Sequence, residues 1–315
     1  MKEYFLGVDT SNYTTSLSLV CDGRVVAEVR RLLPVKNGEK GLRQSDAVFH
    51  HTKALPLLSK ALFEKVSLSD AKICAVGVSS RPRDAKGSYM PCFLAGVSFA
   101  SGIAHSHNIP LYEFSHQSGH ISAAVYSSGK DASFFEESPF ISFHISGGTT
   151  EALMTKYEHE TYKCSIIGGT SDASCGQIID RAGVMMGMDF PCGKELDALS
   201  QKSTKKLPVT ASIKDGYFSM SGLENKVQKF LSDGQKNEDI AMFLFRSIAK
   251  ALSSTSKHLM AVHGNLPILF AGGVMANSFI RCELSSLENS YFADAALSSD
   301  NACGTALLAY KKYNK

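Results

Sequence analysis

Short alternating apolar runs and longer stretches of helical period take turns along this chain, and they do so twice in nearly the same order. Residues 5–8 are a short apolar run of the buried-strand kind, a polar turn from Asp9 to Thr15 follows, and Ser16-Leu17-Ser18-Leu19-Val20 alternates as a half-buried strand does. Asp22-Gly23 is a two-residue hairpin signal, so residues 24–29 complete a three-stranded antiparallel meander. A helix over 46–66 with Ser45 as its cap, a strand over 72–80, a helix over 92–105 and a strand over 110–114 come next. Ser115 is then a good N-cap for a helix that opens on His116.

In the second half, residues 140–145 predict a strand, Ser146-Gly147-Gly148-Thr149-Thr150 a turn, residues 151–154 the return strand and residues 164–167 a third. Helices over 175–186 and 237–263, a strand over 267–271 and helices over 276–287 and 303–313 complete the repeat. A duplicated unit with a small, hydroxyl-bearing turn in each copy implies two α/β lobes facing a shared cleft, where backbone N–H groups can cradle phosphates. Two similar hairpins without a ligand are the alternative. Gly272-Gly273-Val274, between a buried strand and a helix, adds to the phosphate reading because glycine permits close backbone approach.

Composition narrows the class. With 315 residues, 44% of them hydrophobic and 20% charged, the chain fits an ordinary globular protein of about two domains. The N-terminus carries an acidic residue at once and only a very short apolar run, which fits neither a secretory signal nor a membrane span and points to the cytoplasm. The eight cysteines are scattered without a C-x-x-C pair, which argues against a thiolate zinc site and a disulfide framework alike. A formal charge of +3 does not diagnose a nucleic-acid partner, although Arg30-Arg31 and residues 202–206 can supply local basic patches; more often such runs are solvated loops.

His116 and His120 are four apart and therefore lie one above the other on a single helix face, where both imidazoles can point at one ion. Two surface or capping histidines are the plainer reading unless a third ligand lies elsewhere.

Several segments together resemble the tRNA N6-adenosine threonylcarbamoyltransferase family, formerly called O-sialoglycoprotein endopeptidases, of the actin, sugar kinase and heat-shock ATPase superfamily. They are Gly7-Val8-Asp9-Thr10-Ser11, the H-x-x-x-H of His116 and His120, Ser146-Gly147-Gly148, residues 176–181, Phe190-Pro191-Cys192-Gly193, residues 218–223, Gly272-Gly273-Val274-Met275-Ala276-Asn277 and Ser299-Asp300-Asn301-Ala302. The resemblance implies two duplicated actin-like α/β lobes around a nucleotide cleft, the first made of residues 1–115 plus 300–315 and the second of 116–299. It implies a metal held by His116, His120 and Asp300, with iron or zinc suited to two imidazoles and a carboxylate. It also implies an adenine nucleotide (threonylcarbamoyl-adenylate, ATP or AMP) bound by Ser146, Gly147, Gly148, Thr149, Thr150, Asp180, Gly193, Asp197, Gly272, Gly273 and Asn277. Asp9, Ser11 and Tyr13 are the candidate catalytic positions, Tyr13 as a hydrogen-bond donor only, since a phenol with a pKa of about 10 is a poor base at neutral pH. The implied partners are tRNA, a shortened paralogous subunit and a small ATPase, with no membrane.

The departures from the family pattern define a second expectation. Tyr13, Thr14, Thr149, Ala173 and Gln177 stand where the family carries aspartate, glutamate, histidine, aspartate and glutamate. The first expectation is transfer of the threonylcarbamoyl group to the N6 amine of the adenosine beside the tRNA anticodon; the alternative is a divergent paralogue that binds nucleotide and metal without that reaction, or a carbamoyltransferase with another acceptor. A zincin-type peptidase is disfavoured, because Gln117 follows the first histidine where a zincin has its glutamate base.

Overall fold

Two residues in succession with positive φ, Asp22 at 49° and Gly23 at 72°, turn the N-terminal meander in the sense that matches the right-handed twist of its strands. The strands they organise are β1 (Lys2–Asp9), β2 (Thr14–Cys21) and β3 (Arg24–Leu32), paired antiparallel in sequence order. The computed structural model describes residues 1–11, 13–34, 42–66, 71–209, 211–298 and 300–315. Asn12 of the first turn and Ser299 of the last motif lie outside the described residues.

Helix α1 (Gln44–Phe63) begins one residue before the expected cap. Ser45 lies inside the helix and Arg43 precedes it, with the Ala47 N–H bonded to the Arg43 carbonyl (3.0 Å) and Gln44 Oε1 accepting the Cys92 N–H (3.2 Å). That tertiary anchor moved the start. β4 (Ala71–Arg81) then pairs parallel to β1; α2 (Phe93–His107), β5 (Leu111–Ser115) and α3 (His116–Ser127) follow, giving a five-stranded sheet in the order β3-β2-β1-β4-β5.

After the short helix α4 (Ser133–Glu136), β6 (Phe140–Ile145), β7 (Thr150–Glu158) and β8 (Thr161–Thr170) form a second meander. Helices α5 (Cys175–Met185) and α6 (Gly193–Ser200), the small hairpin β9 (Ile213–Lys214) and β10 (Tyr217–Phe218), and helices α7 (Ser221–Ser232) and α8 (Asn237–His263) come next. β11 (Ile268–Ala271), α9 (Ser278–Ser285) and β12 (Ser290–Phe292) complete a seven-stranded sheet ordered β12-β11-β6-β7-β8-β10-β9. Its part β8-β7-β6-β11-β12 repeats the order of the first sheet, so the duplication legible in the sequence is a duplication of topology. The β9–β10 hairpin, α6 and α7 are additions that the periodicity did not announce. The single helix expected over 276–287 is instead a 3-10 turn, Gly273–Ala276, followed by α9, because Asn277 caps α9 by accepting the Ile280 N–H (2.8 Å).

The last helix, α10 (Cys303–Tyr313), packs on the first sheet and on α3. A Cβ on Gly304 would sit 1.8 Å from the Gly119 carbonyl oxygen, so the two backbones touch and α3 is fixed against α10. The chain accordingly divides into one unit of Met1–Ala132, Lys156–Cys164 and Leu297–Lys315 and another of Ser133–Thr155 and Ser165–Ala296. The expected division at residue 115 falls after Ala132, since the histidine helix belongs with α10. Gly304→Ala should therefore lower the melting temperature, although alanine is ordinarily the better helix former. Gly102→Ala, at an exposed position within α2 where an added methyl meets nothing within 4 Å, should instead raise stability by about 0.5–1 kcal/mol; paired thermal melts check both.

Candidate functional site

Ser115 caps α3 as its sequence suggests, its hydroxyl accepting the Ser118 N–H (3.2 Å), and this sets the first turn so that His116 and His120 share one face. Their rings lie 4.2 Å apart between centroids in an edge-on arrangement. Asp300, just ahead of α10, comes to both: its Oδ1 is 3.2 Å from His120 Nε2 and 3.5 Å from His116 Nε2. The ligating atoms of the three residues all lie within 4.8 Å of one another. The structure thus brings the histidine pair together with Asp300, the third residue of the family pattern.

Beneath this cluster sits Asp9, at the end of β1 and only 1% exposed. Its Oδ2 accepts His116 Nδ1–H at 2.9 Å and the Ser79 hydroxyl at 2.5 Å, while Oδ1 accepts the Ser11 N–H at 2.8 Å and the Ser11 hydroxyl. Among the described residues, Asp9 meets the cluster through His116 and Ser11 meets it through Asp9, so both position the His116 ring. A carboxylate on Nδ1–H selects the tautomer whose Nε2 lone pair is free to ligate, and it makes that nitrogen more basic. Tyr13 is half-buried; its carbonyl accepts the Leu33 N–H (2.8 Å), and no described hydrogen bond joins its hydroxyl to His116, His120 or Asp300. Ser79 belongs to none of the family motifs, although a hydroxyl at the end of a buried parallel strand is a fair signal. The brace below α3 carried no signal at all: Asp84 takes Arg81 through two nitrogens, Lys163 Nζ at 3.3 Å and the Ser118 hydroxyl at 3.4 Å.

Charges in the cluster are strongly coupled. Burial pulls the His116 imidazolium down, but Asp9 and Asp300 outweigh it and raise the pKa from 6.5 to about 10. Burial pushes the carboxyls of Asp9 and Asp300 up, and the histidines and hydroxyls around them carry both below the usual range. Two imidazoles and a carboxylate, with one imidazole locked in the ligating orientation, fit a single divalent cation with open positions.

The second unit holds a cavity of about 470 Å³, a size suited to a nucleotide. Gly147, Asp180, Gly193, Asp197, Gly273 and Asn277 line it. The Ser146–Thr150 turn is tied down by Ser146 N–H to the Thr149 carbonyl (2.7 Å), Thr149 N–H to Ser146 Oγ (3.1 Å) and the Ser174 hydroxyl to the Gly147 carbonyl (2.7 Å). Thr150 Oγ1 accepts the Cys175 N–H (2.9 Å), so its hydroxyl builds the loop. Gly176 lets α5 press on this turn, because a Cβ there would stand 2.6 Å from the Ser146 carbonyl oxygen. Gly147 and Gly148 remain exposed with nothing within 4 Å of an added Cβ. Gly272, at φ 106°, turns the chain tightly over Ile145 into Gly273.

Three side chains in or beside the cavity differ in availability. Asp180 spends Oδ1 on the Cys192 N–H (2.9 Å), so one carboxylate oxygen is left to meet ribose hydroxyls. Asp197 spends both, on the Ser278 N–H and hydroxyl, each at 3.0 Å, and ties α6 to α9. Asn277 caps α9 with Oδ1 while its Nδ2 is buried without a protein acceptor. A buried amide donor without a partner costs free energy, and a ligand in the cavity can remove that cost. Asp172, in the altered segment ahead of α5, is exposed and ties that segment to α7. Its carboxylate accepts the Met220 N–H (2.8 Å), the Ser221 N–H (3.1 Å) and the Ser219 hydroxyl (2.5 Å), and despite some burial these bonds hold its pKa low.

Two sheets of matching topology, each with helices on it, one bearing a histidine–aspartate cluster and the other a glycine-lined cavity, define a protein of the actin-like ATPase and sugar kinase fold. Solved structures agree: the (R)-2-hydroxyglutaryl-CoA dehydratase component A of Acidaminococcus fermentans superposes with TM-score 0.55 at 19% identity over 99% of both chains, and a ROK hexokinase of Thermus thermophilus with 0.52 at 13% identity over 100% of this chain and 99% of that one. The chain belongs to the tRNA N6-adenosine threonylcarbamoyltransferase family, whose sequence pattern matches residues 35–307. Relatives named tRNA N6-adenosine threonylcarbamoyltransferase are 29% identical in Thermosipho africanus, over 98% of this chain and 94% of the relative, and 28% identical in Thermus thermophilus, over 99% and 94%. A probable bifunctional tRNA threonylcarbamoyladenosine biosynthesis protein of Thermoplasma acidophilum is 26% identical over 97% of this chain and 56% of its own length. No helix among the described residues is long and apolar enough to cross a membrane.

Two outcomes follow for metal binding. Asp9→Asn places an amide nitrogen among donors and favours the wrong imidazole tautomer, so divalent-metal affinity should fall roughly 10–100-fold with the circular dichroism spectrum unchanged. Because His116 holds its proton up to about 10, metal must displace that proton, and affinity measured by calorimetry should rise as pH increases from 7 toward 10.

Proposed function

We propose that this protein transfers the threonylcarbamoyl group from threonylcarbamoyl-adenylate to the N6 amine of the adenosine beside the tRNA anticodon. The observation that carries this is the family match over residues 35–307. In the transfer a bond forms between N6 and the carbamoyl carbon, the bond from that carbon to the adenylate oxygen breaks, AMP leaves, and the amine gives up a proton.

His116, His120 and Asp300 would hold one divalent ion, with iron or zinc matching the donor set. When bound, such an ion polarises a carbonyl as a Lewis acid. Asp9, supported by Ser11 and Ser79, fixes the His116 ring. In the other unit, the exposed backbone of Gly147 and Gly148, braced by Ser146, Thr149 and Thr150, receives the phosphate; Asp180 accepts from ribose; Asn277 Nδ2 donates to the adenine ring or the ribose. Gly193, Asp197, Gly272 and Gly273 shape the cavity. Few acid–base side chains remain near Tyr13, so the rate rests on positioning more than on proton transfer. The setting is cytoplasmic, and the partners are tRNA, a shortened paralogous subunit and a small ATPase. The Thermoplasma relative, bifunctional by name, supports work alongside a second activity.

Expressed in cells depleted of their own threonylcarbamoyltransferase, the chain should restore the modified adenosine, read by mass spectrometry, and Asp300→Ala should not. No restoration by the unaltered chain, with metal and AMP still bound in vitro, would sink the proposal. Asn277→Ser keeps a capping oxygen but removes the buried donor, and should weaken AMP binding roughly 5–10-fold, equivalent to about 1–1.4 kcal/mol.

A further inference from the structure

The second unit also carries a groove larger than the nucleotide cavity. It lies between the segment 203–209 and the outer face of α8, encloses about 690 Å³, and is lined by Lys205, Lys206, Arg246, Lys250 and Lys257, with Glu283 as its one carboxylate. Five cations against one anion in a single groove stand out in a chain whose formal net charge is +3. The hydroxyls of Thr204, Ser253 and Ser254 add neutral donors of the kind that meet phosphate oxygens.

The plain explanation of these cations is that they pin the segment. It covers two of them: Arg246 donates to the Leu207 carbonyl (3.1 Å) and Lys250 to the Val209 carbonyl (3.4 Å). Lys205 Nζ is held by Gln235 Oε1 (2.8 Å). Lys206 and Lys257 are exposed, and among the described residues their ammonium groups meet no protein acceptor. The segment itself is built, since Asp239 Oδ1 accepts the Ser203 hydroxyl (2.8 Å), the Thr204 N–H (3.0 Å) and the Lys205 N–H (2.9 Å). Its lysines are therefore presented from a fixed turn.

We propose that this groove docks the phosphate backbone of the RNA substrate, an inference that rests on the tRNA-modifying reading and assigns that substrate a surface away from the nucleotide cavity. From Arg246 to Lys257 the helix advances roughly 16 Å, at about 1.5 Å per residue, so the cations meet a run of phosphates rather than one phosphoryl group. A lipid surface fits less well. The site is concave, and its aromatic residue, Phe279, packs against the core.

The test uses the full chain and the double variant Lys206→Ala with Lys257→Ala, titrated with unmodified tRNA and with polyuridylate across a salt series. The expected result is an affinity lower by roughly tenfold or more near 0.1 M salt and a log–log salt slope reduced by about two, one for each lysine, with AMP binding unchanged. Equal affinity and slope for both proteins overturn the groove while leaving tRNA modification by the unaltered chain intact. Conversely, lysine-dependent RNA binding without any tRNA modification upholds the groove and defeats the proposed reaction. Binding to phosphatidylserine vesicles with no binding to either RNA overturns the groove in favour of a membrane surface.

Discussion

One largely buried hydrogen bond, His116 Nδ1–H to Asp9 Oδ2, joins the first strand of the chain to its histidine helix and orients the imidazole of the cluster. Asp9 is an ion with almost no access to water, and it is tolerable there because an imidazole, two hydroxyls and a backbone N–H surround its two oxygens. Removing one partner of a buried pair of this kind typically costs about 3–5 kcal/mol, since the other is left desolvated and unpaired. The same bond that stabilises the strand end also decides which imidazole nitrogen can ligate. Fold and site are therefore not separable at this point.

Asp300 reaches the histidines because two helices are allowed to touch. Gly304 and Gly119 bring α10 and α3 into backbone contact, and Asp300 lies three residues before the helix that Cys303 begins. From below, Asp84 gathers Arg81, Lys163 and Ser118 and holds the first turn of α3. The cluster is thus fixed from both ends of the chain.

The second unit repeats the sheet order but uses its first turn differently. Where Asp9 turns inward in one copy, Gly147 and Gly148 leave backbone exposed in the other. The family's acidic residues at positions 173 and 177 are absent here, yet Ser174 still caps α5 and Asp172 still ties that segment to α7. The segment beside the glycine-lined cavity is therefore held by hydroxyl and backbone hydrogen bonds that need neither of those acidic residues.

Much of this was legible in the residues. The meander, its Asp22-Gly23 turn, the bounds of α8 and α10, the Ser115 cap and the duplicated order all follow from local periodicity and turn chemistry, which act over a few residues and leave their mark in sequence. The i, i+4 spacing of His116 and His120 placed two imidazoles on one face for the same reason. What local pattern could not carry is anything that depends on distant atoms: that Ser45 yields the start of α1 to a bond between Gln44 and Cys92, that α3 packs with the C-terminal helix, that Asp9 lies under His116, that Asn277 Nδ2 is left without a partner. Those are consequences of close packing, where a missing Cβ or a spent lone pair on one element decides what another can do, and only the tertiary structure contains them.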